Sequence, residues 1–162
     1  YIHDKIGFTA RLNTINAAIG CVQLKYLDKW NAARRRIAYL YRKMLSDIDE
    51  LTLPPEEKTG IVPVYHQFVI RTIYRDELRE WLLTKGIETG IHYPLPIHLQ
   101  PIYKRLHGFK GGEYPKAEQF CETCLSLPIY PELRPEDVKY ICESIHEFFE
   151  NKIKVKGNKE IA

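Results

Sequence analysis

The chain has 162 residues, of which 44% are hydrophobic and 12% aromatic, so it can bury the core of one globular domain, or of one domain plus an arm. Its formal charge is only +3, and the basic runs at 34–36 and in the C-terminal tail indicate a solvated helix face and a frayed end, not a nucleic-acid interface. No apolar run approaches the roughly 18 residues that span a membrane, and no signal peptide is recognisable, so we expect a cytoplasmic protein.

The first predicted element is a long helix from Asn13 to about Ile48, where apolar residues recur every three or four positions and no proline intervenes. About 34 residues rising 1.5 Å each make a rod of about 50 Å, which is longer than a compact domain of this size. We therefore expect the helix either to kink near Gly20 or to pack on something outside this chain. Its first third, TINAAIGCVQL, is apolar on more than one face, as in a segment packed between two partners.

Three short strands alternating with helices follow. The strands are predicted at VYHQFVIRTI (64–73), IETGIHY (87–93) and LSLPIY (125–130). Helices are predicted at 75–85 with Gly86 at the C-terminal end, at 115–124 and from Pro135, with a helical turn at 100–107. The predicted fold class is α+β, with the long helix and a small three-stranded sheet that carries helices.

The chain divides into three predicted regions. Residues 1–50 form the long helix with the loop before it, residues 51–151 form a small α/β domain, and residues 152–162 form a flexible basic tail. The chain begins at Tyr1 and not at methionine, so we expect it to be the remainder of a longer protein.

The cysteine pattern favours a structural role. Cys121 and Cys124 form CETC, but the other two cysteines are single and distant, so a four-cysteine zinc site lacks its second pair. The CETC motif also ends a predicted helix, whereas a thioredoxin-type motif begins one. These residues are interpreted as small apolar side chains in a reducing compartment.

The richest stretch for chemistry is GIETGIHYPLPIHLQPIY, residues 86–103, which places His92, Tyr93, His98 and Gln100 among three prolines. Prolines fix backbone angles, so the polar side chains between them are held at low entropic cost. The histidines have no acidic or cysteine partner at a recurrent ligand spacing, and we predict no metal site. Phosphate-binding glycine motifs and a GxSxG elbow are absent. On composition and spacing alone, a ligand-facing loop and a buried structural loop remain equally open.

Three blocks in fixed order carry a family resemblance: IGFTARLNTINAAIGCVQLKYLDKWNAARRRIAYLYRKML, YHQFVIRTIYRDELREWLLTKGIETGIHYPLPIHLQPIYK and PKAEQFCETCLSLPIYPEL. From about Ile6 to Phe149 the chain resembles the C-terminal half of the DegT/DnrJ/StrS family of nucleotide-sugar aminotransferases. The resemblance implies the C-terminal domain of the aspartate-aminotransferase fold (fold type I), pyridoxal 5'-phosphate as cofactor, and a homodimer in which the long helix lies at the interface. It also implies transfer of an amino group, usually from glutamate, to a nucleotide-linked keto-sugar in surface polysaccharide or sugar biosynthesis.

The resemblance also implies what this chain lacks. The lysine that binds the cofactor covalently belongs to a large domain that precedes the first block, and none of the lysines here has the family's context. We therefore expect the chain to be inactive alone, with no catalytic residue of its own.

The implied site residues lie in two blocks. In GFTARLN, residues 7–13, Thr9 and Arg11 are expected to contact the cofactor phosphate of the neighbouring subunit; Thr9 stands where asparagine is usual. His92, Tyr93, His98 and Gln100 are expected to face the nucleotide-sugar or the cofactor. Two alternatives stay open: a non-catalytic binding or assembly module derived from the family, and a regulatory relative.

Overall fold

The computed structural model describes residues 7–8, 10–55 and 58–159, with side chains of the last helix described to residue 152. The helices are α1 (Thr14–Leu24), α2 (Leu27–Leu45), α3 (Arg75–Thr84), α4 (Pro101–His107), α5 (Pro115–Thr123) and α6 (Pro135–Lys159). The strands are β1 (Phe68–Arg71) and β2 (Cys124–Leu127), and a 3₁₀ turn covers Ile97–Leu99. This mixture of helices with a small sheet agrees with the predicted α+β class.

The predicted long helix is two helices. The side chain of Asn13 accepts the Asn16 N–H at 2.8 Å and so caps the start of α1. The break falls between α1 and α2, where the Tyr26 N–H donates to the Gln23 carbonyl at 2.9 Å and closes a tight turn. Of the two alternatives expected for this segment, a kink near Gly20 is not observed, because Gly20 lies inside α1 and the helix ends only at Leu24.

The sheet has two strands in the part of the chain that the structure describes, so the prediction of three was wrong. β1 and β2 are antiparallel, with Phe68 opposite Leu127 and Arg71 opposite Cys124. The segment predicted as the middle strand contributes one bridge, in which Gly90 and Ser126 exchange both backbone hydrogen bonds. The prolines that follow at 94 and 96 carry no N–H and cannot extend such a ladder.

Helices α2, α3 and α6 enclose the hydrophobic core against this sheet. Tyr41 of α2 is fully buried, stacks on Phe68 with ring centroids 5.0 Å apart, and donates its hydroxyl to the Pro128 carbonyl at 2.8 Å. Burial raises the pKa of Tyr41 well above its usual range, so the phenol stays neutral. Between α3 and α6, the Trp81 indole N–H donates to the Ser144 carbonyl at 2.8 Å.

Two ends of the chain differ in their packing. Helix α6 continues to Lys159, beyond the point at residue 152 where the sequence pattern fades. Helix α1 has no buried residue, and its apolar side chains Ile15, Ile19 and Val22 are 74%, 51% and 54% exposed. None of the helices in the described residues is long and apolar enough to cross a membrane.

Candidate functional site

An open cavity of about 770 Å³ lies between α4, α5 and the loop of residues 92–100, which we call the proline-rich loop. We call this cavity the aromatic cavity. Five aromatic side chains line it: Tyr93, Tyr103, Phe109, Tyr114 and Phe120. Histidines at 92, 98 and 107 also line it, and no lysine or arginine of the described chain is among its lining residues. Such a surface suits a flat ring or an apolar group better than a bare phosphate.

His92 forms a wall of the aromatic cavity. Its Nδ1 lies 2.9 Å from the Ser126 hydroxyl, and its ring meets Tyr93 edge to face at 5.6 Å between centroids. His92 also lines a second cavity of about 320 Å³, to which Glu88 contributes. Tyr93 is 69% exposed. The structure therefore brings these two predicted site residues together on an accessible surface.

His98 lines the same cavity but is committed to a structural contact. It is 8% exposed, and its Nε2 lies 2.8 Å from an oxygen of Glu118. Its ring packs edge-on against Tyr114 and Phe109 at 4.8 and 5.8 Å between centroids. This geometry positions the aromatic wall of the cavity, and Nε2 is engaged by Glu118.

Glu118 is a residue that sequence reasoning missed. Its carboxylate accepts the N–H groups of Gly112 at 2.9 Å and Tyr114 at 3.3 Å. The hydrogen bond from His98, followed by those from Gly112 and Tyr114, lowers the pKa of Glu118 below its usual range. An acidic residue in the first turn after Pro115 was the sequence signal available, because such a carboxylate sits near free N–H groups.

Glu113 adds a second carboxylate to this loop. It accepts the N–H groups of Lys110 and Gly111 at 2.8 Å, and these bonds, that from Lys110 foremost, lower the pKa of Glu113. One ligand-type atom from each of His98, Glu113 and Glu118 lies within 4.8 Å of the others. Because hydrogen bonds within the loop already engage these atoms, the cluster is explained as loop bracing.

The remaining predicted site residues lie elsewhere. Gln100 connects the 3₁₀ turn to α4, where its carbonyl accepts the Lys104 N–H at 3.0 Å, and it is not among the residues lining the aromatic cavity. Arg11 is exposed just before α1 and does not line the cavity either. Thr9 lies outside the described residues.

The cysteines of the CETC motif are free and buried. Burial raises the pKa of the Cys121 thiol, which disfavours the reactive thiolate. Cys124 begins β2, with its sulfur 3.9 Å from the Cys121 carbonyl. Both residues pack as small apolar side chains, as the sequence indicated.

Known proteins match this chain over most of its length. The pleiotropic regulatory protein of Geobacillus stearothermophilus is 41% identical over 150 residues, covering 92% of this chain and 40% of the relative. The dTDP-3-amino-3,4,6-trideoxy-alpha-D-glucose transaminase of Streptomyces venezuelae is 37% identical over 150 residues, covering 93% of this chain and 39% of that enzyme. The solved structure of S. venezuelae DesV superposes with a TM-score of 0.84 at 36% identity, covering 91% of this chain and 39% of DesV.

The chain thus spans about 40% of the length of the relatives it matches. The sequence model of the DegT/DnrJ/EryC1/StrS aminotransferase family matches residues 1–146, and the full-length members of that family are pyridoxal-phosphate-dependent aminotransferases. By its sequence and by its fold, the chain belongs to the DegT/DnrJ/EryC1/StrS aminotransferase family.

Proposed function

We propose that this chain forms the C-terminal small domain of a pyridoxal-phosphate-dependent aminotransferase that acts on a nucleotide-linked keto-sugar. In this proposal glutamate gives the amino group, the complete protein is a cytoplasmic homodimer, and the product serves surface polysaccharide or sugar biosynthesis. The observation that carries the proposal is the aromatic cavity, which the proline-rich block of the family builds around His92 and Tyr93.

The aromatic cavity supports binding of a ring of the substrate, either the base or the sugar. Tyr93, Tyr103 and Phe109 present apolar ring faces, on which bases and sugars stack. Because the lining carries no lysine or arginine among the described residues, the diphosphate of such a substrate has to be held by groups outside the cavity.

Two features support a role in assembly and cofactor binding. The apolar side chains of α1 are exposed over the whole helix, which suits a segment covered by a preceding large domain and by a second subunit. The exposed guanidinium of Arg11, next to this helix, has the chemistry that pairs with a phosphate group, and Thr9 is proposed as a second contact.

Bound pyridoxal phosphate supplies the electron-withdrawing ring through which an amino group is transferred between two carbon skeletons. The residues of this chain would hold the cofactor phosphate and orient the nucleotide-sugar. Arg11 holds the phosphate, His92 and Tyr93 contact the nucleotide-sugar, and His98 contributes through the wall that it braces. Gln100, which lies at the end of the loop before α4, is proposed as a further substrate contact.

The test uses the complete protein with glutamate and a panel of nucleotide-linked keto-sugars, with amine formation followed by mass spectrometry. Removing one stacking ring by Tyr103→Ala is expected to raise KM for the sugar about tenfold or more, since stacking on an aromatic side chain contributes about 1–3 kcal/mol. Tyr39→Ala is the matched control, because Tyr39 is 65% exposed on α2 and outside the cavity. Equal effects of the two substitutions would remove the cavity from the proposal.

The name of the Geobacillus relative favours one alternative, a regulatory protein that keeps the binding surface without catalysis. In that case the complete protein would bind a nucleotide-sugar at the aromatic cavity and form no amine from glutamate. The turnover measurement above separates the two functions directly.

A further inference from the structure

Two residues, Ser126 and Gly90, constrain the position of the His92 side chain. The Ser126 hydroxyl that contacts Nδ1 belongs to β2, and Ser126 is only 6% exposed. The backbone of the same serine is bonded in both directions to Gly90, at 3.0 and 2.7 Å. Ser126 thus fixes the position of the segment that carries His92 and also holds one atom of its ring.

Gly90 contributes by having no side chain. A Cβ atom at this position would lie 2.5 Å from Cε1 and 3.1 Å from Nδ1 of His92. Carbon atoms of real side chains do not approach that closely, so any other residue at position 90 would displace the ring. The imidazole therefore occupies the space that the glycine leaves open, against the bridge to Ser126.

One ring nitrogen remains for a ligand. Nδ1 is engaged by Ser126, whereas Nε2 of His92 has no hydrogen-bond partner among the residues that the structure describes. The ring borders both the aromatic cavity and the smaller cavity beside Glu88. The Ser126 hydroxyl can donate to Nδ1 or accept from it, so this contact fixes the orientation of the ring and the direction in which Nε2 points.

We propose that Ser126 and Gly90 are positioning residues for His92, which hold the imidazole so that Nε2 is offered to the substrate in one orientation. The proposal rests on the proposed function for the identity of that substrate. Neither Ser126 nor Gly90 has to contact the substrate, because both act by positioning His92.

The first test is independent of turnover. In complete protein labelled with ¹⁵N-histidine, the imidazole nitrogens of His92 report which nitrogen is protonated. Ser126→Ala is expected to change the ¹⁵N shifts of His92, and Ser126→Thr, which keeps a hydroxyl, is expected to restore them. Ser144→Ala is the control, because Ser144 is also buried but its hydroxyl donates to the Tyr140 carbonyl within α6. Shifts of His92 that stay unchanged in Ser126→Ala would overturn the positioning role, whether or not the protein is an aminotransferase.

The second test uses activity. Ser126→Ala and Gly90→Ala are each expected to raise KM for the nucleotide-sugar about tenfold to a hundredfold, since a misplaced contact of about 1 Å costs that much, with KM for glutamate unchanged. In a His92→Gln background, Ser126→Ala is expected to cost nothing further. An equal loss in both backgrounds, or parallel changes for both substrates, would contradict positioning through His92. Absence of turnover in the unaltered protein would instead refute the proposed function, and the ¹⁵N result would still decide the positioning role.

Discussion

The carboxylate of Glu118 joins three parts of the chain at a single point. It binds His98 from the 3₁₀ turn and two backbone N–H groups from the loop between α4 and α5, while it stands on α5 itself. The loop carries Phe109 and Tyr114, which form one wall of the aromatic cavity. Glu118 therefore supports the shape of that wall, together with Glu113, which accepts two further N–H groups of the same loop.

The lowered pKa of Glu118 makes this support depend on pH. A carboxyl group whose pKa is lower in the folded than in the unfolded state contributes stability above its usual value of 4.5 and loses it as the pH falls through the lowered value. We expect the amides of Gly112 and Tyr114 to lose protection, relative to their intrinsic exchange rates at each pH, as the pH falls through the lowered value, and in Glu118→Gln this protection is expected to be reduced already at neutral pH. Hydrogen exchange read by mass spectrometry measures this.

Glu122→Gln is the control for this prediction, because Glu122 is exposed on the same helix. Protection of the loop that is the same in Glu118→Gln, Glu122→Gln and the unaltered chain would show that the carboxylate does not hold the wall.

Only part of the candidate site can be predicted from local sequence. The sequence places His92 and Tyr93 among prolines in one short segment, which is local information, and their role in binding a substrate stays a prediction. The partners of His92 and His98 were not predictable in this way. Ser126 and Glu118 lie 34 and 20 residues further along the chain, and only the tertiary fold brings them into contact.

At the scale of elements, α3 is attached to α6 through a narrow apolar stripe. Leu78 and Leu82 are fully buried, whereas Leu83 is 63% exposed one residue further on. The 3.6-residue period of the helix accounts for this contrast, and the same period allowed α3 to be predicted closely from its sequence.

Leu82→Ala is expected to lower the free energy of unfolding by about 2–5 kcal/mol, the usual cost of removing a buried leucine side chain. Leu83→Ala, chemically the same change, is expected to stay within about 0.5 kcal/mol. Urea unfolding of the chain followed by circular dichroism measures both. Similar losses for the two variants would mean that α3 does not pack on α6 in this register.

The boundaries of α1 and of the sheet were less predictable. Residues 25–26 carry neither glycine nor proline, so no local signal marks the break between α1 and α2, while Gly20 supplied a false one. The prediction of a middle strand at 87–93 was wrong for a related reason. Its sequence has the apolar character of a strand, but only Gly90 pairs with β2 before the chain turns away.

The apolar face of α1 gives a prediction about assembly. Each isoleucine that becomes buried at an interface contributes about 1.5–3 kcal/mol, so placing a charge there removes that gain and adds a desolvation cost. In the complete protein, Ile19→Glu is expected to weaken or abolish the dimer, as measured by light scattering after size-exclusion chromatography. Gln23→Glu, an exposed polar position on the same helix, is expected to leave it intact. A dimer unaffected by Ile19→Glu would exclude α1 from the interface.

For the whole molecule, the sequence and the fold agree on membership of the DegT/DnrJ/EryC1/StrS aminotransferase family. The core is complete in itself, since α2, α3 and α6 bury it against β1 and β2, while the aromatic cavity and α1 face outward. The general class was predictable because blocks of sequence encode packing that recurs across the family.

The most direct test of the central claim is to locate the lysine that binds the cofactor. The complete protein is incubated with pyridoxal phosphate, reduced with borohydride and digested, and the modified peptide is identified by mass spectrometry. We predict one specifically labelled lysine, in the sequence that precedes Tyr1, and none within residues 1–162. Specific labelling of a lysine inside this chain, or no specific labelling anywhere, would contradict the account of this chain as the small domain of such an aminotransferase.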